Sequence, residues 1–186
     1  MGRLIVVVFG LMGTGKSTCA RALAASLGWP VIHSDAVRKT LAGLKPTDRV
    51  PEDFGHGIYH ADFSARTYDE MLKQARGHLA LGQNVILDAS YKRAAERVRV
   101  HQLATEQGAR VVFVYCECPV HVARERLGIR LSDPEAISDG RVELFAAQAR
   151  DFDPIMPEDR PLLWLDTTRE PEAVLQELKS FVESYL

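Results

Sequence analysis

Cysteine is scarce: the chain of 186 residues has three, Cys19, Cys116 and Cys118. An odd number, set in what read as one helix and one strand, argues for reduced thiols rather than a disulfide frame. Cys116 and Cys118 alternate along the strand and share a face, which leaves a two-thiol metal or redox pair as the alternative. An excess of one charge is missing too. Lys and Arg number 23 against 25 Asp and Glu, for a formal net charge of −2. Such a balance exerts no global pull toward nucleic acid or anionic membrane, although a local basic cleft stays open. No apolar run approaches the ~20 residues of a membrane span. The N-terminal run LIVVVF is too short for a signal-peptide core and ends in glycines instead of a cleavage site, so a cytosolic protein without membrane partners is expected. Repeats, low-complexity tracts and linkers are also lacking. With 46% hydrophobic residues, the expectation is one domain over 1–186 with a real core.

What is there alternates. Leu4–Phe9 reads as a buried strand and Lys16–Leu27 as a helix closed by Gly28. PVIHS is a short strand, and a helix starts over Asp35–Leu41. Val85–Leu87 is a third strand ending at Asp88, followed by a helix over Lys92–Gln107. ARVVFVYCE is a fourth strand, with Pro119 in the first turn of the next helix; PLLWLD is the fifth, and Pro171 opens a last helix. Strands that are apolar throughout and alternate with helices predict an α/β fold: a five-stranded parallel sheet with helices on both faces. Two stretches break the rhythm. Gly43–Asp62, rich in Gly, Pro and His, leads into a long helix near Ser64–Leu81, and Leu131–Gly140 is polar. The second reads as a short lid, about 126–142. Both leave the sheet at its carboxyl edge, where open α/β sheets bind ligands.

The segment Gly10-Leu-Met-Gly-Thr-Gly-Lys-Ser fits G-x-x-x-x-G-K-[ST] between a strand and a helix. By chance the pattern arises in roughly one chain of this length in a hundred. Glycines let successive N–H groups turn inward, and the helix adds its positive end, so the segment is suited to an anionic polyphosphate. Gly10, Met12, Gly13, Thr14, Gly15, Lys16, Ser17 and Thr18 are the expected nucleotide contacts. Lys16 supplies a point charge, and the Ser17 hydroxyl is suited to Mg²⁺. A third glycine in the dinucleotide spacing is absent.

Absences narrow the reaction. Asn-Lys-x-Asp is missing, against a GTPase, as is Leu-Ser-Gly-Gly-Gln, against a transporter ATPase. Asp88 is the expected partner of Mg²⁺, yet Ala89 follows it where many ATPases carry a water-activating glutamate. Transfer to a hydroxyl needs a base elsewhere. In HSDAVRK, Asp35 can orient an acceptor and take its proton, and Arg38, on the same helix face, can bind an acceptor phosphate or steady the transferring group. The bland alternative is an N-cap with a surface ion pair. Arg126 and Arg130, spaced i,i+4 ahead of the lid, are suited to neutralise the transferring phosphoryl; otherwise they belong to a solvated helix face.

These residues resemble the small P-loop kinases of the AAA_33, zeta toxin and polynucleotide kinase-like group. The resemblance rests on GLMGTGKST, HSDAVRK, NVILDASYKRAAER, ECPVHVARERLGIR and ISDGRVELF, in order over most of the chain. It implies a P-loop NTPase fold of nucleoside-kinase type, and ATP with Mg²⁺ as cofactors. It places Lys16 and Ser17 on phosphates and metal, Asp35 as acceptor base, Arg38 beside it, and Arg126 and Arg130 as lid arginines. Thr167, in LDTTREP, falls where such kinases pass near the adenine. A phosphotransferase acting on a hydroxyl is therefore expected. A nucleotide switch or slow ATPase working through a partner protein is the alternative.

For the acceptor wall, Tyr59, His60, Arg66 and Tyr68 can stack on or bond to a base or sugar, or else form core and polar loop. His56 and His60 are a two-residue metal candidate with no third ligand. Lys92, Arg93, Arg97 and Arg99 form either a basic patch or an ordinary solvated helix face. The balance favours a small hydroxyl acceptor over a polynucleotide 5′-hydroxyl.

Overall fold

A computed structural model of the chain describes residues 2–45, 48, 57–130 and 142–186. The strands are β1 (Leu4–Phe9), β2 (Val31–His33), β3 (Val85–Asp88), β4 (Arg110–Glu117) and β5 (Leu162–Asp166). The helices are α1 (Lys16–Leu27), α2 (Ser34–Leu41), α3 (Ala61–Ala80), α4 (Ala94–Glu106), α5 (Val120–Arg130), α6 (Val142–Arg150) and α7 (Pro171–Glu183). All strand pairs are parallel, in the order β2-β3-β1-β4-β5. The five-stranded sheet expected from the apolar runs is present, and the carboxyl end of central β1 is the point where the chain changes direction across the sheet.

Every β1 residue is buried, and the strand's two faces serve two cores. Ile5, Val7 and Phe9 pack with Met71, Leu79, Val100 and Leu103 from α3 and α4. Leu4, Val6 and Val8 pack with Ala20 and Leu23 of α1 and Leu178 and Val182 of α7. The period-two alternation turns one apolar run into two buried faces. A third, smaller cluster joins Met12 to Ala123, Leu127 and Phe145 of α5 and α6, which seats both helices on the loop after β1.

Several expectations change. Cys116 points into the α1–α7 core beside Cys19, while Cys118 lies past the end of β4 with its Sγ 3.9 Å from the Gly13 carbonyl, so the two do not share a site. Among the described residues no group of three or more His, Cys, Asp or Glu could hold a metal. α6 was not foreseen. The expected lid falls largely on 131–141, and His56 also lies outside the described residues. Among the described residues no helix is long and apolar enough to cross a membrane.

The helix read as a basic patch or a solvated face has an ion-paired, partly solvated face, with Arg97 as the exception. Arg97 is fully buried: its Nε donates to Asp159 at 2.9 Å, its Nη groups donate to the carbonyls of Tyr91 and Pro154, and the guanidinium lies 5.8 Å from the Phe9 ring centroid. Arg93 and Lys92 pair with Asp151, Arg93 also with Asp153, and Arg99 with Asp69 and Glu96. Apart from Glu96, which is local, the neutralising acids come from the segment after α6 and from α3, a juxtaposition that local spacing does not encode. Asp159→Ala should lower the unfolding free energy by about 3–5 kcal/mol, because it leaves a buried guanidinium unpaired. The double change Arg97→Met with Asp159→Leu should cost clearly less. Urea denaturation of the two variants checks the difference.

Candidate active site

The loop between β1 and α1 is wedged between two backbones. A Cβ on Gly10 would stand 2.5 Å from the Cys116 carbonyl oxygen, and one on Gly13 would stand 2.6 Å from that of Ala123; φ is +142° and +78° at the two positions. Only glycine meets both demands, the close approach and the left-handed backbone. The Thr14 hydroxyl donates to the Leu11 carbonyl at 2.8 Å, and Lys16 Nζ lies 3.4 Å from the same oxygen. Met12, expected in the phosphate cradle, is corrected. Its N–H donates to Gln148 Oε1 on α6 at 2.7 Å, and its side chain packs in the third cluster. The N–H groups at the head of α1 remain. Gly15 caps this helix with no side-chain hydrogen bond, so the first amides and the positive helix end are left for an anion. Ser17, half-buried, and Thr18, exposed, stand on this turn with hydroxyls unpartnered among the described residues.

Beside the loop lies a cavity of about 460 Å³, lined in part by Thr18, Cys19, Arg126, Thr167, Val174 and Leu178. Apolar walls with a few convergent polar groups suit a planar, partly polar ligand. Thr167 ties its parts together: its hydroxyl donates to the Thr14 carbonyl at 2.8 Å and accepts from Arg126 Nη1 at 2.9 Å, and Arg126 Nη2 donates to its carbonyl at 2.7 Å. Arg126, expected to cover the phosphoryl group, is thus held at the flank of the loop. Arg130 ends α5, and its side chain lies outside the described residues. A hydrogen bond between the Cys19 and Cys116 thiols pulls Cys19 below the ordinary thiol range and pushes Cys116 well above it.

On the other side of the loop, β3 ends at Asp88, in register with Val8 of β1 and His33 of β2. Asp88 Oδ2 lies 2.6 Å from His33 Nδ1, while Oδ1 is buried with no hydrogen-bond partner. A buried carboxylate oxygen left unpaired costs about 1–3 kcal/mol, so the side chain suits a cation brought to it. The Asp88 carboxylate therefore fits a hard cation such as Mg²⁺, and the Ser17 hydroxyl is an oxygen donor of the same kind.

Asp35 sits in the first turn of α2. His33 occupies the N-cap position without a side-chain cap bond, so neither Ser34 nor Asp35 is used in capping. The Asp35 carboxylate is half-buried and has no hydrogen bond or ion pair among the described residues. Arg38, by contrast, is buried and donates to the Ile58 carbonyl at 2.7 Å and the Ser64 hydroxyl at 3.1 Å, tying α2 to the head of α3. Tyr68 is core: it is 8% exposed, its ring packs on Tyr91, and its hydroxyl accepts from the Tyr91 N–H at 3.2 Å. Burial raises the pKa of both phenols. His60 caps α3 by accepting from the Asp62 N–H, Arg66 lies over the Phe63 ring, and the Tyr59 side chain is outside the described residues. Sequence reasoning missed His33 and Gln148. Two parallel strands both ending in polar residues at the carboxyl edge was the available signal for His33; Gln148 had none.

A family model described as AAA domain, AAA_33, matches residues 5–155. An uncharacterized protein of Mycobacterium tuberculosis is 32% identical over 145 residues; the match takes in 78% of this chain but only 28% of that protein's length. A shikimate kinase of Thermobifida fusca is 32% identical over 144 residues, covering 77% of this chain and 75% of the relative. Among solved structures, a candidate kinase from Chloroflexus aurantiacus superimposes with a TM-score of 0.72 at 26% identity, over 100% of this chain and 98% of its own. The Mycobacterium tuberculosis APS kinase, in complex with AMPPNP and APS, shares the fold with a TM-score of 0.63 at 20% identity, over 98% of both chains.

The wedged loop makes a clear prediction. Gly13→Ala should lower stability by about 1–3 kcal/mol and weaken binding of a fluorescent ATP analogue, since the loop must part from α5. Gly82→Ala is the comparison: φ there is +76°, but an added Cβ meets nothing within 4 Å. It should cost backbone strain alone and leave nucleotide binding intact. Thermal melts and fluorescence titrations of the two variants check this.

Proposed function

The chain belongs to the AAA_33 family, and on that premise we propose that it is a kinase transferring the γ-phosphoryl group of ATP to a hydroxyl on a small acceptor. The observation that carries the reading is Asp35, a carboxylate at the carboxyl edge of the sheet that takes no part in capping or ion pairing among the described residues. A loop that binds a triphosphate would serve an ATPase equally well. A carboxylate left over on the next strand–helix junction, with Ala89 where a hydrolytic glutamate is expected, is what transfer to an alcohol needs.

In this reading the amides at the head of α1 and the Lys16 ammonium hold the β and γ phosphates. Ser17 and Asp88 hold Mg²⁺, which when bound neutralises phosphate charge. The purine lies in the cavity between α1, α5 and α7, where Arg126 and Thr167 form its polar rim. The acceptor hydroxyl gives its proton to Asp35 as its oxygen bonds to the γ phosphorus. The bond from that phosphorus to the bridging oxygen breaks, and ADP leaves. Arg38 acts indirectly by fixing the head of α3. The neutralised α4 surface supports a small acceptor, because a polynucleotide needs a continuous run of free cations along its backbone.

The test is transfer from labelled ATP to a panel of hydroxyl compounds that includes shikimate, for which the Thermobifida relative is named, together with sugars, nucleosides and a 5′-hydroxyl oligonucleotide. A labelled small acceptor is expected. Release of phosphate at a useful rate with no acceptor labelled would replace the kinase with a nucleotide switch or slow ATPase. Asp35→Asn should cut transfer by ~10²–10⁴ while ATP affinity is retained, the usual share of a general base. Lys16→Ala should weaken ATP binding itself.

A further inference from the structure

The side chain of Asp88 has one protein partner among the described residues, and that partner is His33. The two are the last residues of neighbouring parallel strands and face each other in register. Both are shielded, with side-chain exposures of 14% for His33 and 5% for Asp88. The bond is short, 2.6 Å, and it occupies one carboxylate oxygen only. Rotation about Cβ–Cγ of an aspartate is soft and roughly two-fold, so an unrestrained carboxylate can swing either oxygen to either side. A donor fixed on Oδ2 removes that freedom. It leaves Oδ1 as the oxygen with no other demand on it.

Resting on the proposed binding of Mg²⁺ at Ser17 and Asp88, we propose that His33 is a positioning residue for that metal. Its Nδ1–H donates to Oδ2 of Asp88 and so presents Oδ1 to the cation. His33 itself does not touch the metal or the phosphates. The neutral ring suffices, since the bond needs one N–H donor and no positive charge. The competing role is fastening. β2 is an edge strand of three residues, and a side-chain bond to β3 could serve only to hold it in place. The two roles differ in what they protect: the metal site in one case, the fold in the other. Partners that orient a metal ligand typically change metal affinity 10–100-fold when removed.

The experiment uses the full chain saturated with ADP and Mn²⁺ as the probe, with free and bound metal distinguished by electron paramagnetic resonance. Metal-free ADP affinity and the melting temperature are measured alongside. His33→Leu, which keeps bulk and removes the donor, should weaken Mn²⁺ binding about 10–100-fold with ADP affinity unchanged. His33→Asn, whose side-chain amide replaces the Nδ1 donor, should restore near-wild-type Mn²⁺ affinity. Should the Leu variant not fold, His33→Gln replaces it: its donor is displaced by one methylene, and Mn²⁺ binding should again be weakened. Wild-type Mn²⁺ affinity in the Leu or Gln variant, or an Asn variant as weak as Leu, overturns the proposal in favour of fastening. If the wild-type protein with ADP holds no Mn²⁺, the assignment of Ser17 and Asp88 fails instead. That outcome is seen in the parent protein, not in a His33 variant.

Discussion

The amides at the head of α1 have no intrahelical acceptors, and the rest of the site is arranged around keeping them uncovered. They stay available because the preceding loop is pressed from behind by the Cys116 and Ala123 carbonyls and latched by Gln148 and Thr167. Each contact takes up a group that could otherwise fold over the nest. The Met12 N–H goes to α6, the Thr14 hydroxyl to Leu11, and the Thr14 carbonyl to Thr167. A concave row of donors is costly to leave unpaired, so a loop of this kind holds its shape only inside a rigid surround. β4, α5, α6 and the β5–α7 turn supply that surround, and each is placed by the buried strands beneath it.

Much of this was legible before any coordinates. Six consecutive apolar residues of β1 sufficed to predict a strand covered on both faces, and Gly28 and Pro171 marked a helix end and a helix start. The phosphate loop was legible because glycine, lysine and serine are required there for reasons internal to the segment. What stayed hidden depends on partners distant in sequence. Arg97 lies in a run, KRAAERVR, that has the periodicity of a wet surface, and only the return of the chain at Asp159 makes it a core residue. α6 was obscured by the polar stretch before it, although Leu144 and Phe145 hinted at a buried face.

In the candidate site the same division holds. Asp35 and Asp88 stood out as candidates because one lies just past a strand and the other ends one, at the sheet edge where open α/β folds bind ligands. Arg126 was placed near the loop by its spacing, but its pairing with Thr167 was not foreseen. Spacing shows that it precedes the polar segment, but its bidentate hold on Thr167 depends on how α5 crosses the β5–α7 turn. Arg38 likewise shares a helix face with Asp35, yet its guanidinium turns toward Ile58 and Ser64. A helical wheel gives the direction of a Cα–Cβ bond. It says little about where a side chain as long as arginine ends.

The two halves of the site are attached to the sheet unequally. The nucleotide half stands on β1, β4 and β5, which pair over long registers and carry both cores. The half proposed for the acceptor hangs from β2, an edge strand of three residues with one neighbour, and is held further by the His33–Asp88 bond and by the hold of Arg38 on the head of α3. Local stability follows such attachments, so opening at the β2–α2 end costs less than opening at the phosphate loop. That asymmetry suits a phosphotransferase. The phosphates must be gripped by a surface that does not yield, whereas the acceptor must enter and its product leave. The polar bonds at that end join the carboxylate proposed for the metal and the helix carrying the proposed base to the same short strand. Under the proposed mechanism, displacing α2 would therefore disturb proton transfer and metal positioning together, and the acceptor's arrival would be coupled to the readiness of the nucleotide.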